Sequence, residues 1–293
     1  MSSSTTRDTC SDSPATDARD VEKHLIARGL VAGAAGAVLA FLFARICAEP
    51  IIGRAIEYED GRAKAEEALG GHDSGVDLFS RATQATPGLG FGVLIFGVAV
   101  GALFAVLFCV AYRRAGRSTP GSADAVAPRK LSLRLAATSF VAVYLVPFLK
   151  YPPNPPSIGQ PETIGSRTGL YLLTVLISVV LMIAAVRLGR VLIARFGRWN
   201  GTLLTAGAYV VATVAVLLAL PPVAETPTPL RDGSGAIIYP GFPADVLYEF
   251  RLVSLATQLL LWVTIGVVFA TLAGRLLGEP ADSVSSARPN ITA

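Results

Sequence analysis

From Pro87 to Tyr112 the chain carries no Asp, Glu, Lys or Arg, and the same holds from Asn200 to Val223. A helix that is apolar on every side has no stable place in water. At ~1.5 Å per residue, runs of this length cover the ~30 Å hydrocarbon core of a bilayer. Four further apolar runs, about Leu30 to Ala48, Leu131 to Leu149, Thr168 to Val186 and Leu252 to Gly274, are long enough to do the same. The expected fold is therefore an all-α, polytopic membrane protein with six transmembrane helices. Composition agrees, because 52% hydrophobic against 16% charged residues leaves too few charges for a soluble domain of 293 residues.

Residues 1–23 are rich in Ser, Thr, Asp and Ala, have no apolar stretch, and read as a disordered cytoplasmic tail. The first apolar segment starts only after Lys23, His24 and Arg28, so it is expected to be an uncleaved first span. The membrane domain is expected over residues 24–277, with a long acidic outer loop at 49–86 and proline-rich outer loops at 150–167 and 221–243. Residues 278–293 read as a second disordered cytoplasmic tail. Within the acidic loop, Ile51 to about Leu69 lacks proline and is expected to form an amphipathic helix on the outer surface.

Orientation follows from the basic residues. With both termini inside, the inner segments hold 16 of the 25 Lys and Arg residues and the outer segments 9, whereas 13 of the 21 acidic residues lie outside. The net charge of +4 is thus accounted for by topology, and a nucleic-acid role has no remaining support. Glycines at Gly29, Gly33 and Gly36, and at Gly88, Gly92, Gly97 and Gly101, give spans one and two small-residue faces suited to close helix contact. They do not form a nucleotide-binding loop.

Between spans three and four, five prolines fall within Pro152 to Pro161. They remove backbone donors and fix φ, which favours a stiff connector that holds shape at the outer surface. A plain tight, protease-resistant loop is the alternative. Outer-end carboxylates are the candidate metal ligands: Glu49 at the end of span one, Glu57 two turns on, Glu162 in the proline loop, and Asp245 with Glu249 before span six. Glu49, Glu162 and Asp245 are expected to converge at the outer mouth. Arg45, Lys150, Arg167 and Arg251 are expected to act as structural ion pairs, Arg45 with Glu49 at i,i+4, Arg251 near Glu249, and Lys150 or Arg167 with Glu162 or lipid headgroups.

Span six carries Ser254, Thr257, Gln258 and Thr264 at helical spacing, a polar stripe that must face protein or a water-filled path; Tyr144, Thr205 and Tyr209 are its candidate partners. Histidine is limited to His24 and His72, and Cys10, Cys47 and Cys109 show no paired spacing. No tightly bound cofactor is expected. No Ser/His or His/Asp arrangement lies within the spans, which argues against an intramembrane enzyme.

Three blocks carry a resemblance. They are Phe43-Ala44-Arg45 with Ala48-Glu49-Pro50; Phe148-Leu149-Lys150-Tyr151-Pro152 with Asn154-Pro155-Pro156, Pro161-Glu162-Thr163-Ile164 and Arg167-Thr168; and Gly241-Phe242-Pro243-Ala244-Asp245 with Phe250-Arg251 and Gln258. Through them the six-span core resembles the predicted cobalt transporter subunit family CbtA of bacterial membrane proteins. The resemblance implies a subunit of a divalent metal uptake system in the bacterial inner membrane, with Co²⁺ as the transported ion. It also implies a small one-span partner with a histidine-rich end, CbtB-like. A membrane scaffold or assembly protein without its own permeation path is the alternative.

Overall fold

The computed structural model describes residues 14–70, 89–117, 127–156, 158–223 and 225–278. His72 and the remainder of the acidic loop to Gly88 lie outside these residues, as do Met1–Ser13 and 279–293. Among the described residues seven α-helices follow in chain order: α1 (Pro14–Cys47), α2 (Glu49–Ala68), α3 (Leu89–Arg117), α4 (Pro128–Ser139), α5 (Val146–Lys150), α6 (Ile164–Ala219) and α7 (Ala244–Leu276). Helix α1 starts in the segment read as a disordered tail. Pro14 stands at its first position, where a missing N–H costs nothing, and a Glu22–Arg113 ion pair ties its third turn to the helix that holds Arg113.

Helices α4 and α5 form one membrane-length rod, Pro128–Lys150, joined by a π-helical turn at Phe140–Leu145. Pro147 explains the widened turn. It has no N–H to give the carbonyl one turn back, and its ring crowds that carbonyl, so the ladder slips to a longer spacing just before it.

Helix α6 has 56 residues, about 84 Å if straight, far beyond the ~30 Å apolar core. It turns back on itself at Gly197, whose φ of 78° and ψ of 169° are open to glycine and strained for other residues. The two arms then run side by side. A Cβ on Gly201 would sit 2.6 Å from Ile193 Cα, Gly189 faces the Thr205 side chain at 3.2 Å, and the Ser178 and Tyr209 hydroxyls meet at 3.3 Å. With α1, α3, the α4–α5 rod and α7, this hairpin makes six crossings. The all-α polytopic fold is as expected, and the segment between the fourth and fifth apolar runs, which carries Arg187, Arg190 and Arg195, is helical up to the reversal.

The core is built on backbone proximity. In lipid, where apolar burial gives helices no advantage over acyl chains, association depends on close packing. Gly33 and Gly97 of α1 and α3 approach so closely that a Cβ on Gly33 would lie 2.2 Å from the Gly97 carbonyl oxygen, and one on Gly101 would lie 2.2 Å from that of Gly29. Gly36 meets Leu261 of α7, and Gly266 of α7 meets Ala136 of α4, beside which the buried Ser132 hydroxyl donates to the Gly266 carbonyl at 3.3 Å. Phe108 and Phe269 fill the centre edge to face, ring centroids 5.0 Å apart. The α6 hairpin joins this core chiefly through α5 and the π turn.

The loop read as a plain proline-rich link before span six contains a small antiparallel hairpin, β1 (Leu230–Arg231) and β2 (Ile237–Tyr239). Together with α2 and the proline loop it covers one end of the bundle. Single cysteines placed at Ser157 and Ser234 in a cysteine-free background are predicted to react with an impermeant maleimide added outside, and those at Ser122 and Ser285 to stay unlabelled. Outside labelling at 122 or 285, or protection at 157 and 234, would reverse the orientation.

Candidate functional site: a chamber under the proline roof

The capped end is held by side chains that reach between elements distant in sequence. Tyr58 of α2 donates to the Pro240 carbonyl at 2.9 Å, Tyr239 donates to the Tyr58 carbonyl at 3.2 Å, and Phe242 packs edge to face on Tyr58. Arg62 adds a 2.8 Å bond to the Thr228 carbonyl. The turn of the small hairpin is closed by Asp232, whose Oδ1 accepts from the Ser234 hydroxyl at 2.6 Å and from the Ser234 and Ala236 amides at 2.8 and 2.9 Å.

Those bonds, the Ser234 hydroxyl foremost and then the Ala236 amide, hold the Asp232 carboxyl below its usual pKa. A carboxyl depressed on folding contributes stability above its unfolded pKa and loses it as pH falls through the folded one. Amide exchange at Ala236, corrected for intrinsic rate, is therefore predicted to quicken on acidification below the ordinary carboxylate range. Asp232→Ala should exchange fast at every pH, and a wild-type turn indifferent to acid would contradict the assignment.

The proline loop is a built roof. Tyr151 and Ile158 are buried beneath it, and the Tyr151 hydroxyl donates to the Pro221 carbonyl at 2.8 Å. At its centre lies Glu225, whose side chain is 4% exposed. This carboxylate is ion-paired to Arg167, accepts from Thr163 Oγ1 at 2.9 Å and accepts from Asn154 Nδ2 at 3.2 Å. Arg167 also donates to the Pro152 carbonyl at 2.5 Å, and Arg251 donates to Asn154 Oδ1 at 3.0 Å. One buried carboxylate thus ties together the proline loop, the start of α6, and the loop after it. Sequence reading missed Glu225, which shares the second proline-rich loop with Asp232; the available signal was an acidic residue just past the end of the fifth apolar run.

Under the roof, between α1 and α3 on one side and the first arm of α6 on the other, is a chamber of about 840 Å³ with α5 and α7 behind it. Its lining is mostly apolar. Ser254, Thr257 and Gln258 of α7 line one wall, and Tyr144 and Tyr171 also line it. The polar stripe of span six therefore faces a cavity over three of its four members. Thr264 instead bonds its own helix at the Leu260 carbonyl, 2.7 Å away, and Thr205 and Tyr209 are used inside the α6 hairpin.

The expected metal ligands are distributed differently from a single mouth site. Glu49 lies 3.9 Å from Arg45, whereas Asp245, at 3.7 Å, and Glu249 both pair with Arg54. Glu57 and Glu162 are exposed. All five sit at the capped end, yet among the described residues no three His, Cys, Asp or Glu side chains gather where they could share a metal ion. Arg45 and Glu49 lie one helical turn apart, within ion-pair reach. Arg167 pairs with Glu225 in place of Glu162, and Arg251 takes Asn154 in place of Glu249. Residues two apart on a helix point about 200° apart, so Arg251 and Glu249 cannot face one partner. Lys150 ends α5, where a cation complements the helix dipole, and among the described residues it has no ion-pair partner.

The family description "Probable cobalt transporter subunit (CbtA)" matches residues 22–274. The chain belongs to the CbtA family. That match spans all six crossings and the capped end, so the roof and the chamber are parts of the CbtA core. No curated protein and no solved structure matches the chain.

Proposed function

We propose that this chain is the membrane subunit of a divalent metal uptake system in the bacterial inner membrane, with Co²⁺ as its cargo. A small one-span subunit with a histidine-rich end is its partner and contributes nitrogen donors that this chain has in short supply. The observation carrying the reading is that Ser254, Thr257 and Gln258 face a chamber at membrane depth instead of a neighbouring helix. Polar groups held in lipid without a protein face are costly, so a stripe turned toward a cavity fits a water or substrate path. The family description supports the cargo and the word subunit. The scaffold reading draws on the ion pairs that occupy Glu49, Asp245 and Glu249.

Surface acids at the capped end serve this function by electrostatics, concentrating cations before entry. Glu49→Gln, Glu162→Gln and Asp245→Asn each remove one charge, worth ~1 kcal/mol or less at an exposed site. Uptake at low metal and low salt should fall by at most about fivefold and recover toward wild type as salt screens the difference. A loss that persists at high salt, or an altered preference among Co²⁺, Ni²⁺ and Mn²⁺, would instead make the substituted residue a direct ligand. Unchanged uptake in all three at normal protein level would mean that these charges do not steer entry, and uptake that does not depend on this chain at all would favour the scaffold.

A further inference from the structure

The chamber and the ion do not match. Six hydration waters at about 30 Å³ each occupy about 180 Å³, a small part of the 840 Å³ available. Stripping them requires replacement donors. The lining has one carboxylate, Glu225, and Arg167, Thr163 and Asn154 already occupy it. His, Cys, Met and Asp are missing from the lining altogether. With Arg167 and Glu225 cancelling each other, the chamber carries no net negative charge to draw a cation in.

What the chamber does offer is typical of a site for a small organic molecule: this volume, aromatic and aliphatic walls, and a few convergent polar groups. Tyr144, Phe148, Tyr171 and Phe250 supply ring surface. The Tyr144, Tyr171 and Ser254 hydroxyls and the Gln258 amide have no hydrogen-bond partner among the described residues. Thr257 already donates to the Val253 carbonyl at 2.8 Å and keeps only acceptor capacity. Half-buried polar groups left open at membrane depth point to something that binds them.

We infer that the chamber takes the metal inside a neutral organic complex, with the chelator supplying the coordination sphere and the protein hydrogen-bonding its polar edge. This rests on the metal-uptake reading and specifies the form of the substrate. Gln258, with two donors and an acceptor, is the specificity residue for that edge; Ser254 is one turn before it on the same helix face. Arg167 and Glu225 hold the roof and do not bind the metal.

Binding to the full chain in nanodiscs tests this with three probes. Tris(glycinato)cobalt(III) is neutral and substitution-inert, so it cannot pass its metal to protein donors; hexaamminecobalt(III) is inert and charged, like a hydrated ion; aqueous Co²⁺ is free to exchange. The expected result is 1:1 binding of the neutral complex only, weakened about tenfold or more by Gln258→Leu. Ser254→Ala should weaken it less, and serves if Gln258→Leu lowers folded protein. Binding of Co²⁺ or the hexaammine ion that equals or exceeds that of the neutral complex and is sensitive to Gln258→Leu would overturn the inference while leaving metal uptake intact. So would a co-purified phospholipid that occupies the chamber and is not displaced by the neutral complex. If the neutral complex fails to bind, the inference falls; the uptake reading then stands or falls separately, on accumulation of free Co²⁺ by cells expressing the chain with its partner.

Discussion

Gly101→Leu is expected to leave little or no folded protein in the membrane. The added Cβ alone would lie 2.2 Å from the Gly29 carbonyl oxygen and 2.7 Å from Gly33 Cα, both backbone atoms that cannot rotate aside. Helices α1 and α3 would have to part along the whole seam, losing the packing that holds them in lipid. Overpacking a core ordinarily costs about 1–3 kcal/mol even when side chains can yield; here nothing flexible is available, so the loss should lie at or above that range. Gly33→Leu meets the Gly97 carbonyl at 2.2 Å and should behave alike. Gly92 lies on the same helix with nothing within 4 Å of its Cβ position, and Gly92→Leu should be tolerated. Membrane abundance and thermal size-exclusion profiles in detergent measure all three. Wild-type values for Gly101→Leu would mean that the helices are not in contact along this seam.

The second large effect belongs to the roof. Arg167→Leu leaves Glu225 buried with only two neutral donors, and breaking a buried pair from one side typically costs 3–5 kcal/mol. Since the Arg167 side chain is 25% exposed, about 3 kcal/mol or somewhat less is expected. Amide exchange should rise across residues 151–163 and near Glu225, and stay unchanged at the Gly29–Gly101 seam. Glu225→Gln keeps one acceptor oxygen, for Thr163 or for Asn154, and should cost less than Glu225→Ala. The double substitution Arg167→Leu with Glu225→Leu removes both charges and should recover part of the loss. If the single and double variants were equally destabilised, the ion pair would not be what holds the roof.

The spans were legible because apolar length is local information: a run without charge from Pro87 to Tyr112 has one physical outcome. Gly29, Gly33, Gly97 and Gly101 were legible as small-residue faces for the same reason, since spacing along one helix places them. Partnership between elements was not. Arg251 and Glu249 are neighbours in sequence but diverge on the helix, and the partner Arg251 does take, Asn154, comes from the proline loop, 97 residues away along the chain. Glu225 was marked only by its place just past an apolar run, because its burial is produced by the proline loop folding over it. The reversal in α6 was legible as a gap between the apolar runs Thr168 to Val186 and Asn200 to Val223, but its place at Gly197 was not, because a positive φ is a backbone property with no trace in hydropathy. The polar stripe of span six was visible, but which of its members meet a cavity depended on how the α6 arms were placed.

Accumulation of radiolabelled cobalt, supplied as the neutral tris(glycinato)cobalt(III), by cells that lack their own cobalt import, expressing this chain together with its one-span partner, bears most directly on the account. Saturable uptake is predicted that requires this chain and falls about tenfold or more with Gln258→Leu at equal membrane abundance, as expected for loss of a buried polar contact worth about 1.4 kcal/mol or more. Uptake that persists when the chain is omitted, or that ignores Gln258→Leu, would contradict a substrate path through the chamber.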